Sequence, residues 1–397
     1  MKDYHINIFH SEDHHAYVGD IPDLEGCIAL GNTPAEALSE VESARDRWLK
    51  AAGAEGRPVP EPHYRPEIYF SKDLVIPSVV TETQAAEPQP SYKDVLEYIA
   101  KRVAKRECIL FLGSAIHVSP PDGLTQYSYP PEKAPPIGIN LSKYLADKCK
   151  YPGQDWWNLQ RVAQHFESTT KSRFRLVEEI KDAVHVGREP SPMLRMLADL
   201  QFPLVITTNY DQLYEQSLDL RAAEMGLSPG LYDVSIYSAN NLGQERLETL
   251  DCAMNPDPQR PFILKIHGDV SRPESIVITD EDYIQFVLRM SDTKPFHPFG
   301  QNVLAYLMKW PILFIGYSLM DYNLRLLFKT LRWRKDAAQI PPTYSVDKKP
   351  DQLIRDVWEN QRRYVSFIVL NLWDFIPNLH ALVNPPASGP AEKVIIP

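Results

Sequence analysis

The sequence has few cysteines, no surplus of positive charge and no long apolar run, and each lack removes a class of function. Cys27, Cys108, Cys149 and Cys252 lie far apart, with no C-x-x-C pair to supply half of a zinc site, so free thiols in a reducing compartment are the simplest expectation. Lysine and arginine total 42 against 52 acidic residues, a formal net charge of -10, which argues against a duplex nucleic-acid binder because phosphate neutralisation needs a basic face. No apolar stretch approaches the length of a membrane span, and the start Met1, Lys2, Asp3, Tyr4 has no signal-peptide core. The expectation is a cytoplasmic protein that is not held in a membrane. Its 397 residues exceed one ordinary domain, and two domains are the first expectation.

The division falls in the stretch 77–90, where prolines mix with Thr, Glu, Gln, Ala and Ser and no apolar periodicity survives. The expected organisation is therefore a domain over 1–75, a linker over 76–91 and a second domain over 92–397. In the first, residues 4–9 and 16–21 read as two strands of a hairpin joined by polar residues 11–15. A helix comes next, with Thr33 as N-cap, Pro34 in the first position and Glu36 where a capping box needs a carboxylate. Ala37, Leu38, Val41, Ala44 and Trp48 recur at helical spacing, and Gly53 offers a stop. His10, His14 and His15 lack a further spaced ligand, so a polar loop explains them and no metal is assigned.

From Tyr92 onward, short continuous apolar runs alternate with amphipathic segments, the pattern of a parallel sheet covered on both faces. Strands are expected at 108–112, 204–207, 262–266, 312–315 and 365–370, and helices at 159–166, 174–184 and 193–200, the last capped by Ser191 with Pro192 in its first position. The fold class is α/β, a Rossmann-like parallel sheet with helices on both faces, preceded by a small α+β domain.

The residues directly after each central strand are informative: Gly113, Ser114, Ala115 and Ile116 after the first, Thr208, Asn209 and Asp211 after the second, His267 after the third, and Gly316, Tyr317 and Ser318 after the fourth. The carboxyl ends of parallel strands face one crevice, so these residues can meet around one ligand. A glycine after a strand lets backbone approach a pyrophosphate, although a tight turn alone also explains Gly113 and Gly316. Asn209 can bond ribose hydroxyls or orient water, and Asp211 can steady positive charge, whereas the plainer role for both is capping the next helix. His267 has the right ordinary pKa for general-base work, and a structural role is the plainer alternative.

The first 65 residues or so, through "YVGDIPDLEGCIALGNTPAEALSEVESARDRWL" and "RPVPEP", resemble the HicB family of antitoxin-like domains. That resemblance implies a small sheet-and-helix module that self-associates or masks a toxin. The later motifs "FLGSAI", "ITTNYDQLYE", "LKIHGD" and "LFIGYSLMDYNLRLLF", with "ITDEDYIQFV" between the last two, resemble in order those of sirtuins, and more closely the sirtuin-like NAD-cleaving domains of bacterial antiphage defence proteins. Carried over, His267 matches the catalytic histidine, Asn209 the ribose- or water-binding asparagine and Asp211 the aspartate lining the nicotinamide pocket. Gly113 to Ile116 match the phosphate loop, and Gly316 and Ser318 a late nucleotide-binding loop.

This sequence departs from the family at Ala115, where a second glycine is usual and a methyl group could crowd the pyrophosphate, and at His117, where a serine is usual. His117 is either a second functional histidine or a plain loop residue. The paired-cysteine zinc module of deacylating sirtuins is missing, which makes water the expected acceptor. The resemblance implies NAD as substrate, hydrolysis to nicotinamide and ADP-ribose, a homo-oligomer and control by a defence partner such as a HerA-like ATPase. The alternatives are an NAD or ADP-ribose sensor without turnover, and a protein deacylase or ADP-ribosyltransferase.

Overall fold

In a computed structural model the chain separates into two compact units, Met1–Glu87 and Pro88–Pro397. The structure describes residues 4–11, 16–54, 57–62, 91–238, 259–291, 299–317, 319, 341–352, 354–355, 358 and 365–385. The expected linker lies almost wholly outside them, as do Cys252, His14 and His15. Among the described residues no helix is long and apolar enough to cross a membrane.

In the first unit, β1 (Asn7–Ser11), β2 (Ala16–Asp20) and β3 (Ile28–Gly31) form an antiparallel sheet in sequence order, and α1 (Pro34–Ala54) covers one face. The helix start is held twice: the Glu36 amide donates to Thr33 Oγ1 at 3.1 Å, and the Glu36 carboxylate accepts from the Asn32 amide at 2.8 Å. Helix and sheet approach so closely that a β-carbon on Gly31 would stand 2.3 Å from the Ala37 amide nitrogen.

Several details differ from expectation. Strand β1 begins at Asn7 because Tyr4 turns into the core and donates its hydroxyl to the Pro60 carbonyl at 2.7 Å. Leu38 is exposed because the inward face is set by Ala37, Val41 and Ala52, and Gly53 does not end the helix, which reaches Ala54. The third strand extends the expected hairpin into a sheet.

The second unit holds a seven-stranded sheet. Its strands are β4 (Ile109–Leu112), β5 (Leu204–Thr207), β6 (Asp233–Ile236), β7 (Phe262–Lys265), β8 (Ile312–Ile315), β9 (Thr343–Val346) and β10 (Ser366–Ile368). They run in the order β10-β9-β8-β4-β5-β7-β6, every pair parallel. Four central strands are wholly buried, and their alternate residues feed two cores. Leu110, Leu112, Val205, Ile263, Leu313 and Ile315 meet α2 (Tyr92–Ala104), α6 (Pro192–Asp199), α7 (Leu213–Glu224) and α10 (Leu372–Val383) on one side. On the other, Ile109, Phe111, Ile206, Leu264 and Phe314 meet α8 (Asp280–Ser291) and α9 (Gln301–Leu307). A chain that must bury both faces of a strand has no polar alternation, which is why these strands read as continuous apolar runs.

Three further helices, α3 (Gly138–Cys149), α4 (Leu159–Thr170) and α5 (Arg173–Val184), build a separate core with Tyr210, Val270, Ile276 and Ile278. They thus pack on segments that leave the carboxyl ends of β5 and β7. Replacing Gly31 by Ala is expected to force α1 away from its sheet and destabilise the first unit by about 1–3 kcal/mol, the usual cost of overpacking. Its denaturant midpoint, followed by the fluorescence of residues 1–87 expressed alone, tests this, and an unchanged midpoint refutes the close approach.

Candidate active site at the carboxyl ends of four strands

Strand β4 has β5 on one side and β8 on the other, so the chain leaves it in one direction first and returns on the other later. In open α/β sheets that reversal opens a crevice outside the carboxyl ends. The loops after β4 and β8 interlock there. The Gly113 amide donates to Ile315 O at 2.9 Å and the Ala115 amide to Gly316 O at 3.1 Å. Gly316 has a positive φ of 71°, and a β-carbon on it would stand 2.5 Å from the Ile116 nitrogen, while one on Gly113 would stand 2.3 Å from Gly316 O. Both glycines are therefore required by this mutual contact before any ligand is considered.

Residues Ser114–His117 form one 3-10 turn. The Gly113, Ala115 and Ile116 amides all donate to carbonyls within the protein, and the Ile116 side chain belongs to the core. Ser114 and Ala115 are half-buried, as is Tyr317, whose ring packs edge-on to Phe111 at 5.7 Å. Ser318 lies outside the described residues.

At the end of β5, Thr207 Oγ1 donates to Leu112 O at 2.9 Å and accepts from the Asn209 amide at 3.0 Å, tying this loop to β4. Thr208 is half-exposed, and Asn209 and Asp211 are buried. Asp211 is not the cap of α7, which is Gln212, but from the position before it its Oδ1 accepts from the first helical amide, that of Leu213, at 2.9 Å. Its other oxygen remains turned to His117 Nε2 at 3.9 Å. Tyr210 is pinned by its hydroxyl to Val277 O at 2.8 Å.

His267 comes just after β7 and is buried, its ring set edge-on to Tyr283 and Phe286 at 5.2 and 5.3 Å. The turn after it needs Gly268, whose φ is 88° and whose β-carbon would meet Ser275 O at 2.2 Å. The four strand ends thus bring the Gly113 loop, Asn209, Asp211, His267 and Gly316 to one edge of the sheet.

The sequence motifs give no role to a buried ionic cluster that lies below these loops. Lys265, with no exposed surface, places its ammonium against Glu215 Oε1 at 3.2 Å, the Asp269 carboxylate and the Asp211 carbonyl. Burial works against that ammonium, but the surrounding carboxylates of Glu215, Asp269 and Asp211 outweigh it and hold its pKa above the ordinary lysine value. Burial pushes the Glu215 carboxyl up, with Lys265 opposing. A lysine in an otherwise apolar strand is the available signal, since a buried charge demands partners.

His117 is also buried rather than a surface loop residue, and neither ring nitrogen has a hydrogen-bond partner. Burial lowers its pKa, and the nearby Asp211 only partly offsets this. On its far side lies a cavity of about 500 Å³ walled by prolines of the following loop and by α3 and α5, with Asn140, Tyr144 and Asp182 contributing polar groups. Among the described residues no group of His, Cys, Asp or Glu could hold a metal ion.

Two family models and several known proteins match this chain. Residues 203–365 match the SIR2-like domain family, and residues 4–73 match the HicB-like antitoxin of bacterial toxin-antitoxin systems. The NAD(+) hydrolase ThsA of Acinetobacter baumannii (strain 532279) is 27% identical over 240 residues, 60% of this chain and 42% of that protein. ThsA of Bacillus cereus (strain MSX-D12) is 24% identical over 53% of this chain and 40% of its own length. The defense-associated sirtuin 2 of Bacillus subtilis is 24% identical over 52% of this chain and 19% of its own length. The chain spans about two-fifths or less of the length of these relatives.

Folded His117 binds a proton less readily than the unfolded chain does. Its contribution to stability is therefore present above the ordinary histidine pKa of about 6.5 and is lost as pH falls below it. Denaturant unfolding between about pH 7 and pH 5 should show a weaker loss of stability in His117→Leu than in the parent. Equal acid slopes would mean that this imidazole is not held neutral in the fold.

Proposed function

We propose that the SIR2-like domain hydrolyses the bond between nicotinamide and ribose in NAD. The observation that carries this reading is the gathering of Asn209, Asp211 and His267 beside the Gly113–Gly316 crossing, in a chain matched by the SIR2-like family over β5, β7 and β8. NAD⁺ and water give nicotinamide, ADP-ribose and a proton. The bond from ribose C1′ to the nicotinamide nitrogen breaks with its electron pair going to the ring, which leaves as a neutral molecule and needs no acid. The ribose carbon gains oxocarbenium character, which the Asp211 carboxylate stabilises across a buried, weakly screened space. Asn209 orients the ribose or the water. His267 takes the proton of the water as it attacks C1′.

The phosphates are assigned to the loop edge formed by Ser114, Ala115, Thr208 and Tyr317, with Gly113, Ile116 and Gly316 as its frame, and Ser318 is assigned to the same ligand by its sequence motif alone. A second reading, an NAD or ADP-ribose sensor without turnover, is favoured by one observation: the Gly113, Ala115 and Ile116 amides are already spent on protein carbonyls. Chromatography of NAD incubated with the purified protein separates the two readings, because only hydrolysis releases nicotinamide. His267→Ala and Asn209→Ala are each expected to lower turnover at least about a hundredfold without unfolding the protein, the usual loss on removing a general base or its partner. Near-parental turnover in either variant would remove that residue from the mechanism.

Unchecked NAD cleavage is lethal to a cell, so an enzyme of this kind in the cytoplasm must be held inactive until triggered. Antiphage defence is the setting we infer, with a homo-oligomer and a defence partner such as a HerA-like ATPase as the means of control. The HicB-like domain carries the assembly role in this reading. Deleting residues 1–75 is expected to reduce the number of subunits per particle found by light scattering while keeping the groups that cleave NAD. An unchanged subunit number and equally regulated activity in the two proteins would rule that role out.

A further inference from the structure

Three segments of the candidate site share one buried cation. Lys265 is the last residue of β7, two positions before His267, and it has no exposed surface. Its ammonium bonds the backbone carbonyl of Asp211, the Glu215 carboxylate on α7 and the Asp269 carboxylate. Asp269 lies two positions beyond His267, so the Lys265–Asp269 pair closes across the turn from which the His267 imidazole projects. The other oxygen of Asp269 accepts from the Gln212 side chain at 3.0 Å and from the Ser271 amide at 2.8 Å. Gln212 is the residue next to Asp211. The Asn209–Asp211 loop and the His267 turn are thus joined at side chains through the Lys265 ammonium and through Gln212 and Asp269, beside two bonds of Tyr210, whose carbonyl accepts from the Val270 amide at 3.0 Å and whose hydroxyl donates to Val277 O at 2.8 Å.

A fully buried ion pair is an inefficient way to gain stability, because desolvation of the charges offsets most of their attraction, and neutral replacements of similar shape often fold as well. What such a pair does supply is direction. Its bonds are short, charge-assisted and tied to particular atoms, so they fix the spacing of the segments that carry them. We propose that Lys265 is a positioning residue of this site, holding the Asp211 end of the Asn209–Asp211 loop at a set distance from the His267 turn through the Asp211 carbonyl and the Asp269 carboxylate. It touches no substrate, and its effect on turnover rests on the NAD-hydrolysis reading above.

The test compares the full-length parent with Lys265→Met and with the neutral triple variant Lys265→Met, Glu215→Gln, Asp269→Asn. Lys265→Met leaves carboxylates unpaired and is expected to lose stability, whereas the triple variant should melt close to the parent. In the folded triple variant kcat should drop at least about tenfold with KM changed by less than about threefold, the mark of misplaced reacting groups rather than lost binding. Hydrogen exchange should quicken together at residues 209–213 and 267–277 and stay slow in β4. If the cluster served stability alone, the triple variant would recover kcat along with its melting temperature, and that result would overturn the inference. Should the triple variant fail to fold, Asp269→Asn removes the carboxylate that ties Lys265 to the His267 turn and leaves the ammonium paired with Glu215. A smaller fall in kcat with the same paired rise in exchange supports the proposal, and unchanged values overturn it. If the parent releases no nicotinamide from NAD, the hydrolysis reading fails, and the exchange data still decide whether the two loops are coupled through Lys265.

Discussion

The contact between Gly113 and Gly316 is the constraint on which the site depends. Each glycine occupies space that a side chain on the other would need, and the Ile315 and Gly316 carbonyls accept from the Gly113 and Ala115 amides. The crossing fixes how β4 and β8 end relative to one another. Because Thr207 then bonds the last carbonyl of β4, the β5 loop is set against the same reference. The Lys265 cluster extends that registration to β7. Four strand ends are thereby aligned through a chain of backbone carbonyls, and the side chains that face the crevice inherit their positions from it.

Electrostatics and packing act together at this edge. Lys265 is a single cation among the carboxylates of Glu215, Asp269 and Asp211, while His117 is kept toward its neutral form by burial. The local balance favours positive charge in the space beside Asp211, the sign that the proposed reaction develops on the ribose. The helices α3 to α5 close over Tyr210, Val270 and Ile276 and keep that balance away from solvent screening.

Much of this is legible in the residues. The buried strands announce themselves because they are apolar without alternation, and Ser191 with Pro192 marks the start of α6 where it occurs. Strand β6 is not legible, since Asp233–Ile236 lies at the sheet edge with half its residues exposed and carries no apolar run. Helix α2 is absent from the expected elements although Ser91 and Asp94 form a full capping box at its start. In the site, the residues after the strands can be found because position along a parallel strand dictates where its end points. The partners of those residues cannot: Glu215 and Asp269 acquire their meaning from a lysine on another strand, and His117 from a turn that folds it inward. Pairings of that kind have no period in the sequence.

The strand order carries a consequence for the life of the chain. Strand β4 is made early and its neighbour β8 late, so a growing polypeptide holds half of the crevice long before the other half exists. Contacts so distant along the chain form only when nearly all of it is present. On a ribosome, or after truncation ahead of β8, the Gly113 loop has nothing to close against. On the proposed NAD-hydrolysis reading, an activity hazardous to the cell that makes it is thus withheld from unfinished copies by topology, before any partner or trigger is involved.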